Sequence, residues 1–133
     1  MVDKKIASWD KDFVLVNRIL YPVKTLGFGD RVGIWFQGCS IQCRGCMARY
    51  TWNFDESYAM SFEEVEKKLK DYIKFNPSGV TISGGEPFDQ PPGLCEVVKI
   101  CRKLNYREIL VYSGYTFEYL LAKYSKILNL VDI

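Results

Sequence analysis

The chain has 133 residues, with 48% apolar and 15% aromatic content, enough for one domain to bury one continuous core. With 18 Lys and Arg against 16 Asp and Glu, the net charge is +2, which offers nucleic acid or a bilayer surface no electrostatic hold, so neither is expected as a partner. Histidine is absent, which excludes Ser-His and Cys-His nucleophile pairs and every His-containing zinc site. The odd cysteine count of 5, the charged opening MVDKKIASWDKD and the lack of any apolar run of membrane length point to a cytoplasmic protein. In that reducing setting thiols serve metals or catalysis rather than disulfides.

Residues 1–12 are expected to form a flexible N-terminal segment and residues 13–133 a single domain. FVLVNRIL (13–20) and RVGIWFQ (31–37) are apolar runs with β-branched members and read as strands, separated by Pro22 and the turn GFGD. After the cysteine-rich stretch GCSIQCRGC (38–46), ARYTWNFDESYAM (48–60) has no clean period and reads as irregular. Ser61 and Glu64 then form an S-x-x-E capping box, and Phe62, Val65, Leu69, Tyr72 and Ile73 follow at helical spacing, which predicts a helix over about 61–75. Glu63, Glu64 and Glu66 each stand four residues before a lysine, the favourable order on a helix.

Asn76-Pro77-Ser78-Gly79 ends that helix, and GVTIS (79–83) reads as a short strand stopped by Gly84 and Gly85. Pro92 can start a helix with Leu94, Val97, Val98, Cys101 and Leu104 on one face. EILVY (108–112) is a further strand, Thr116 can cap a short helix with Phe117, Leu120, Leu121 and Tyr124 on its apolar face, and NLVDI (129–133) reads as a strand beginning. This alternation predicts an α/β fold, a parallel sheet with amphipathic helices and right-handed crossovers. The cysteine stretch, Gly84-Gly85-Glu86-Pro87 and Ser113-Gly114-Tyr115 would then all emerge at the carboxyl ends of strands, the edge where sites assemble in such sheets.

Cys39, Cys43 and Cys46 stand at i, i+4 and i+7, a spacing that also fits one face of a helix. Gly38 and Gly45 argue for a loop, since each costs a helix roughly 1 kcal/mol relative to alanine. A closed zinc site wants four ligands, and the remaining cysteines, Cys95 and Cys101, lie far away on a helix with Cys101 in its apolar stripe. Three thiolates on an iron-sulfur cubane leave one iron without a protein ligand, and an open metal position is where chemistry happens.

The pattern C-x-x-x-C-x-x-C at residues 39–46 followed by GGEP at 84–87 resembles the radical S-adenosylmethionine (SAM) enzymes, a likeness that covers the chain from about residue 13. WFQGC (35–39), Thr51-Trp52, SGGEPF (83–88) and YSGYT (112–116) resemble, within that superfamily, the small activases of glycyl radical enzymes, among them the activating proteins of anaerobic ribonucleotide reductase. The resemblance implies an incomplete (β/α) barrel, with Cys39, Cys43 and Cys46 holding a 4Fe-4S cluster and S-adenosylmethionine chelated to its free iron. It implies that backbone oxygens of Gly84, Gly85, Glu86 and Pro87 meet the ammonium group of S-adenosylmethionine and that Ser113 meets its polar groups. It further implies reductive cleavage to a 5′-deoxyadenosyl radical, hydrogen abstraction from a glycine of a large partner enzyme, and reduced flavodoxin or ferredoxin as electron donor.

Gly45 precedes the third cysteine as in the reductase activases, whereas Met47 and Ala48 stand where those carry an aromatic residue and an asparagine. The adenine contact is therefore open among Met47, Tyr50, Trp52 and Tyr115. VDI stops where that family completes another strand, so a C-terminally truncated chain is expected, with its open edge covered by missing residues, a second copy or the partner. Two other readings stand beside the activase: a radical SAM enzyme for a small organic substrate, and a noncatalytic iron-sulfur or zinc module.

Overall fold

The computed structural model describes residues 13–39 and 53–132, so the segment expected at 1–12 lies outside it, as do Cys43 and Cys46. Strand β1 spans Phe13–Val23, β2 Arg31–Phe36 and β3 Ala59–Ser61. Helix α1 (Phe62–Ile73) leads into β4 (Gly79–Gly84), α2 (Pro91–Lys103) into β5 (Ile109–Val111), and α3 (Phe117–Leu128) follows. The sheet runs in the order β3-β1-β2-β4-β5.

The expected parallel sheet is present over β2, β4 and β5 only; β1 pairs antiparallel with both β2 and β3, so the sheet is mixed and open. The reason is connection length. Residues 24–30 are too few to carry β1 back over the sheet, and a short connection makes an antiparallel return. The stretch read as irregular supplies β3, whose three residues pair with Phe13, Val14 and Leu15. A strand this short shows no period.

Helix starts agree closely with the sequence. Ser61 and Glu64 form the capping box on α1, and the Thr116 hydroxyl accepts from the Tyr119 N–H on α3. In α2 both Pro91 and Pro92 lie in the first turn, where their missing N–H groups would be unpaired anyway. The apolar face expected on α3 differs: Leu120 is buried, but Phe117 and Leu121 are exposed, and Tyr124 breaks the helix with φ −130° and ψ 36°. The strand expected at 129–133 does not form among residues 129–132. There Asp132 alone reaches β5, its N–H donating to the Ile109 carbonyl at 2.9 Å and its carboxylate accepting from the Ile109 N–H at 2.7 Å.

Helices cover one face of the sheet, where Val32, Ile34, Phe36, Val80, Ile82 and Ile109 are buried with the helix side chains in one core. On the other face, cross-strand register sets side chains in rows. Arg18, Trp35 and Ser83 are aligned in one row, and Leu20, Gly33, Thr81 and Leu110 in the next. Trp35 lies across Gly33, where a Cβ would come within 2.7 Å of its ring, and the Arg18 guanidinium stands 4.6 Å from the ring centroid.

At the amino end of this face Arg31 is 0% exposed. Its Nε donates to the Thr81 hydroxyl at 2.7 Å and its Nη1 to the Glu108 carboxylate at 2.8 Å and the Phe28 carbonyl at 3.2 Å. The Leu26 carbonyl accepts from the hydroxyls of Thr81 and Tyr112, which draws residues 24–30 beneath this end of the sheet. The amino end is thus closed by polar contacts, and the carboxyl end carries the glycine turns. Among the described residues no helix is long and apolar enough to cross a membrane.

Candidate functional site at the carboxyl edge

Three segments leave the carboxyl ends of the parallel strands: Gln37-Gly38-Cys39 from β2, Gly84-Gly85-Glu86-Pro87 from β4, and Tyr112 to Tyr115 from β5. Backbone bonds bring the first two together. Gly85 N–H donates to the Phe36 carbonyl and Glu86 N–H to the Gly38 carbonyl, each at 2.9 Å. Gly84 has φ +103°, and a Cβ there would stand 2.3 Å from the Phe36 backbone nitrogen, so only glycine fits this close approach. Gly38, at φ +120°, is pressed against the Phe54 ring in the same way.

Cys39 is buried at the end of β2. Cys43 and Cys46, Gly45, and the adenine candidates Met47, Tyr50 and Trp52 lie outside the described residues, among which no group of three metal-type ligands occurs. Cys95 and Cys101 are elsewhere, on α2. Complete burial pushes the Cys101 thiol up to about 12, so it stays protonated and packs as a small apolar side chain. Of the three loop cysteines, Cys39 is the one among the described residues, buried next to the Gly38 carbonyl that accepts from Glu86 N–H. In sequence, three cysteines without a histidine fit in donor type an iron-sulfur cluster with one open corner.

Glu86 is nearly fully buried, and its carboxylate turns inward. Oε1 accepts from the Gly114 N–H at 2.7 Å, and Oε2 from the Ser113 hydroxyl at 2.8 Å and the Phe88 N–H at 3.0 Å. Burial raises its pKa, the three donors pull it back, and the Asp89 charge pushes it up again, leaving it above the usual range. Ser113 and the GGEP turn are therefore adjacent. Tyr115, the remaining adenine candidate, sends its hydroxyl to the Asp89 carboxylate.

Sequence reading passed over Gln90 and Gln37. Gln90 is fully buried, accepting from the Leu15 N–H at 2.8 Å and donating to the Gln37 carbonyl at 3.1 Å. The Gln37 side chain accepts from the Asn17 amide at 3.0 Å and donates to the Asn53 carbonyl at 2.8 Å. Together they hold the chain on both sides of the cysteine loop. The available signal was a glutamine next to an otherwise apolar strand, at Phe36-Gln37.

Residues 25–133 match the 4Fe-4S single cluster domain family. The pyruvate formate-lyase-activating enzyme of Clostridium pasteurianum is 31% identical over 121 residues, covering 86% of this chain and 49% of that protein. The anaerobic ribonucleoside-triphosphate reductase-activating protein of Salmonella typhi is 25% identical over 120 residues, covering 85% and 77%. This chain therefore spans about half of the first relative and about three quarters of the second. The crystal structure of QueE from Escherichia coli superposes with a TM-score of 0.60 at 17% identity, over 83% of this chain and 57% of that one, a likeness of fold. The chain belongs to the 4Fe-4S single cluster domain family and is similar to activating enzymes of pyruvate formate-lyase and of anaerobic ribonucleoside-triphosphate reductase.

Proposed function

We propose that this chain forms the cluster and cofactor domain of a glycyl radical enzyme activase whose partner is an anaerobic ribonucleotide reductase. Cys39, Cys43 and Cys46 would hold the 4Fe-4S cluster, and the backbone of Gly84, Gly85, Glu86 and Pro87, with Ser113, would hold S-adenosylmethionine. When bound, and reduced through flavodoxin or ferredoxin, this pair supplies the one-electron cleavage that yields a 5′-deoxyadenosyl radical able to take a hydrogen atom from a partner glycine.

The chain's own part is to orient and to exclude. With the amides of Gly85 and Glu86 committed to the Phe36 and Gly38 carbonyls, the turn is held against the start of the cysteine loop. Its Glu86 and Pro87 carbonyls already accept from the Asp89 and Gln90 N–H groups, so an ammonium group would meet their second lone pairs or the glycine carbonyls. Buried side chains beneath it, Phe36 and Phe88, keep water from the site's floor. The single observation that carries this reading is the meeting of Gly38-Cys39, GGEP and the Ser113 loop at one sheet edge.

The test is anaerobic reconstitution with iron and sulfide, reduction by dithionite, and measurement of 5′-deoxyadenosine, followed by electron spin resonance with the reductase added. Cleavage and a glycyl radical signal are expected. Cys43→Ala should abolish cleavage, whereas Cys101→Ala should retain it and lose about 1–2 kcal/mol of stability. Tetrahedral zinc with full sulfur coordination would remove the enzyme reading. Cleavage without any glycyl radical would move the substrate to a small molecule.

A further inference from the structure

At the carboxyl edge the Glu86 side chain is 1% exposed. Its two oxygens take three donors, two from the loop after β5 and one from the turn after GGEP. The same two segments meet again where the Tyr115 hydroxyl donates to the Asp89 carboxylate. The Ser113 hydroxyl, while donating to Glu86, also accepts from the Tyr115 N–H at 3.1 Å. Both Ser113 and Gly114 are thus tied to Glu86 before any ligand arrives.

We propose that Glu86 is a positioning residue: its carboxylate locks the Ser113-Gly114-Tyr115 loop onto the Gly84–Pro87 turn, so that the two meet S-adenosylmethionine as one preformed surface. The ligand part rests on the function proposed above; the lock itself does not. A carboxylate is needed because two of the three donors are backbone N–H groups, which cannot reverse their polarity. A glutamine at this position presents one oxygen and one NH2 group. In either orientation the NH2 opposes a backbone N–H, that of Gly114 or that of Phe88. The Ser113 hydroxyl, by contrast, can rotate. Glu86→Gln therefore splits the two segments without emptying the core, and Ser113→Ala loosens them less because the Gly114 bond survives. A loop already ordered leaves the ligand less to order, which favours binding.

Two measurements test this on the whole protein. The first needs no ligand: amide hydrogen exchange, read by mass spectrometry over residues 86–90 and 112–116. Glu86→Gln should speed exchange in these segments about tenfold, with α1 unchanged, and Ser113→Ala should speed 112–116 by a few-fold. Wild-type exchange in either variant overturns the lock, and Ser113→Ala decides the matter if Glu86→Gln fails to fold. The second is calorimetric binding of S-adenosylmethionine to the cluster-loaded protein. Glu86→Gln should weaken binding about tenfold with wild-type iron and sulfide content. Wild-type affinity in a variant that exchanges fast overturns the positioning role. If the wild type itself binds no S-adenosylmethionine, the positioning role and the proposed function both fall, and the exchange data still decide the lock.

Discussion

Arg31 and Glu86 are both buried charges, but they stand at opposite ends of the sheet and answer different needs. Arg31 is held by Thr81, by the Phe28 and Val80 carbonyls and by Glu108, whose side chain is 47% exposed. Because Glu108 can reach water, the loss on removing Arg31 falls mainly on the buried acceptors. Arg31→Met should destabilise by about 3 kcal/mol in urea unfolding; a change below about 1 kcal/mol would show that water replaces the guanidinium there. Glu86 instead titrates above its ordinary 4.5, with Asp89 and Tyr124 as the other titratable groups facing it. A raised carboxyl pKa means that the folded state holds the proton more tightly than the unfolded state. Its contribution to stability is therefore full below pH 4.5 and is lost as pH rises through the folded value. The stability of wild type minus that of Glu86→Gln should fall with rising pH over that window, because burying the ionised form costs more than its three donors return. Those donors fix where the loop sits rather than adding net stability, and a rise would reverse the sign argued here.

At the level of elements, the turn after β4 depends on a position no other residue can fill. Gly84 combines a positive φ with a Cβ direction blocked by the Phe36 backbone, which a rotamer change cannot relieve. Gly84→Ala should cost about 2–4 kcal/mol through strain in the turn and displacement of β2 from β4. Chemical denaturation would measure the loss. Hydrogen exchange at Gly85 and Glu86, whose amides bond to Phe36 and Gly38, should rise more than exchange in α1. Equal protection at both places would mean that the sheet edge absorbs the methyl group.

For the molecule as a whole, the sheet is closed against helices on one face and open at its last strand. Leu130 and Asp132 are clasped by Arg102, whose Nε donates to the Leu130 carbonyl at 2.8 Å and whose Nη2 meets the Asp132 carboxylate at 3.1 Å. Asp132 also caps the Ile109 N–H, so one carboxylate guards the outward backbone of an edge strand. An apolar cavity of about 450 Å³ lies between this segment, α3 and Phe88. Asp132→Ala should release the segment and bare the edge, lowering the melting temperature by about 3–4 °C for the roughly 1 kcal/mol lost. It should also raise the apparent mass in light scattering at high concentration, and an unchanged mass would show that the edge is not adhesive.

Residue order alone determined the β2-α-β4-α-β5 sequence of elements, the helix starts at Ser61 and Thr116, and the gathering of Gly38-Cys39, GGEP and Ser113 at one edge. Those features rest on caps, periodicity and glycine placement, which act over a few residues. Tertiary structure decided the direction of β1, the existence of β3 and the inward turn of Glu86, Gln90 and Arg31. Gln90 meets Leu15 across 75 positions and Arg31 meets Glu108 across 77, so their roles depend on chain segments that only the assembled sheet brings within hydrogen-bond reach. A polar side chain carries no mark of whether it will face water, a ligand or a buried amide until its neighbours are in place.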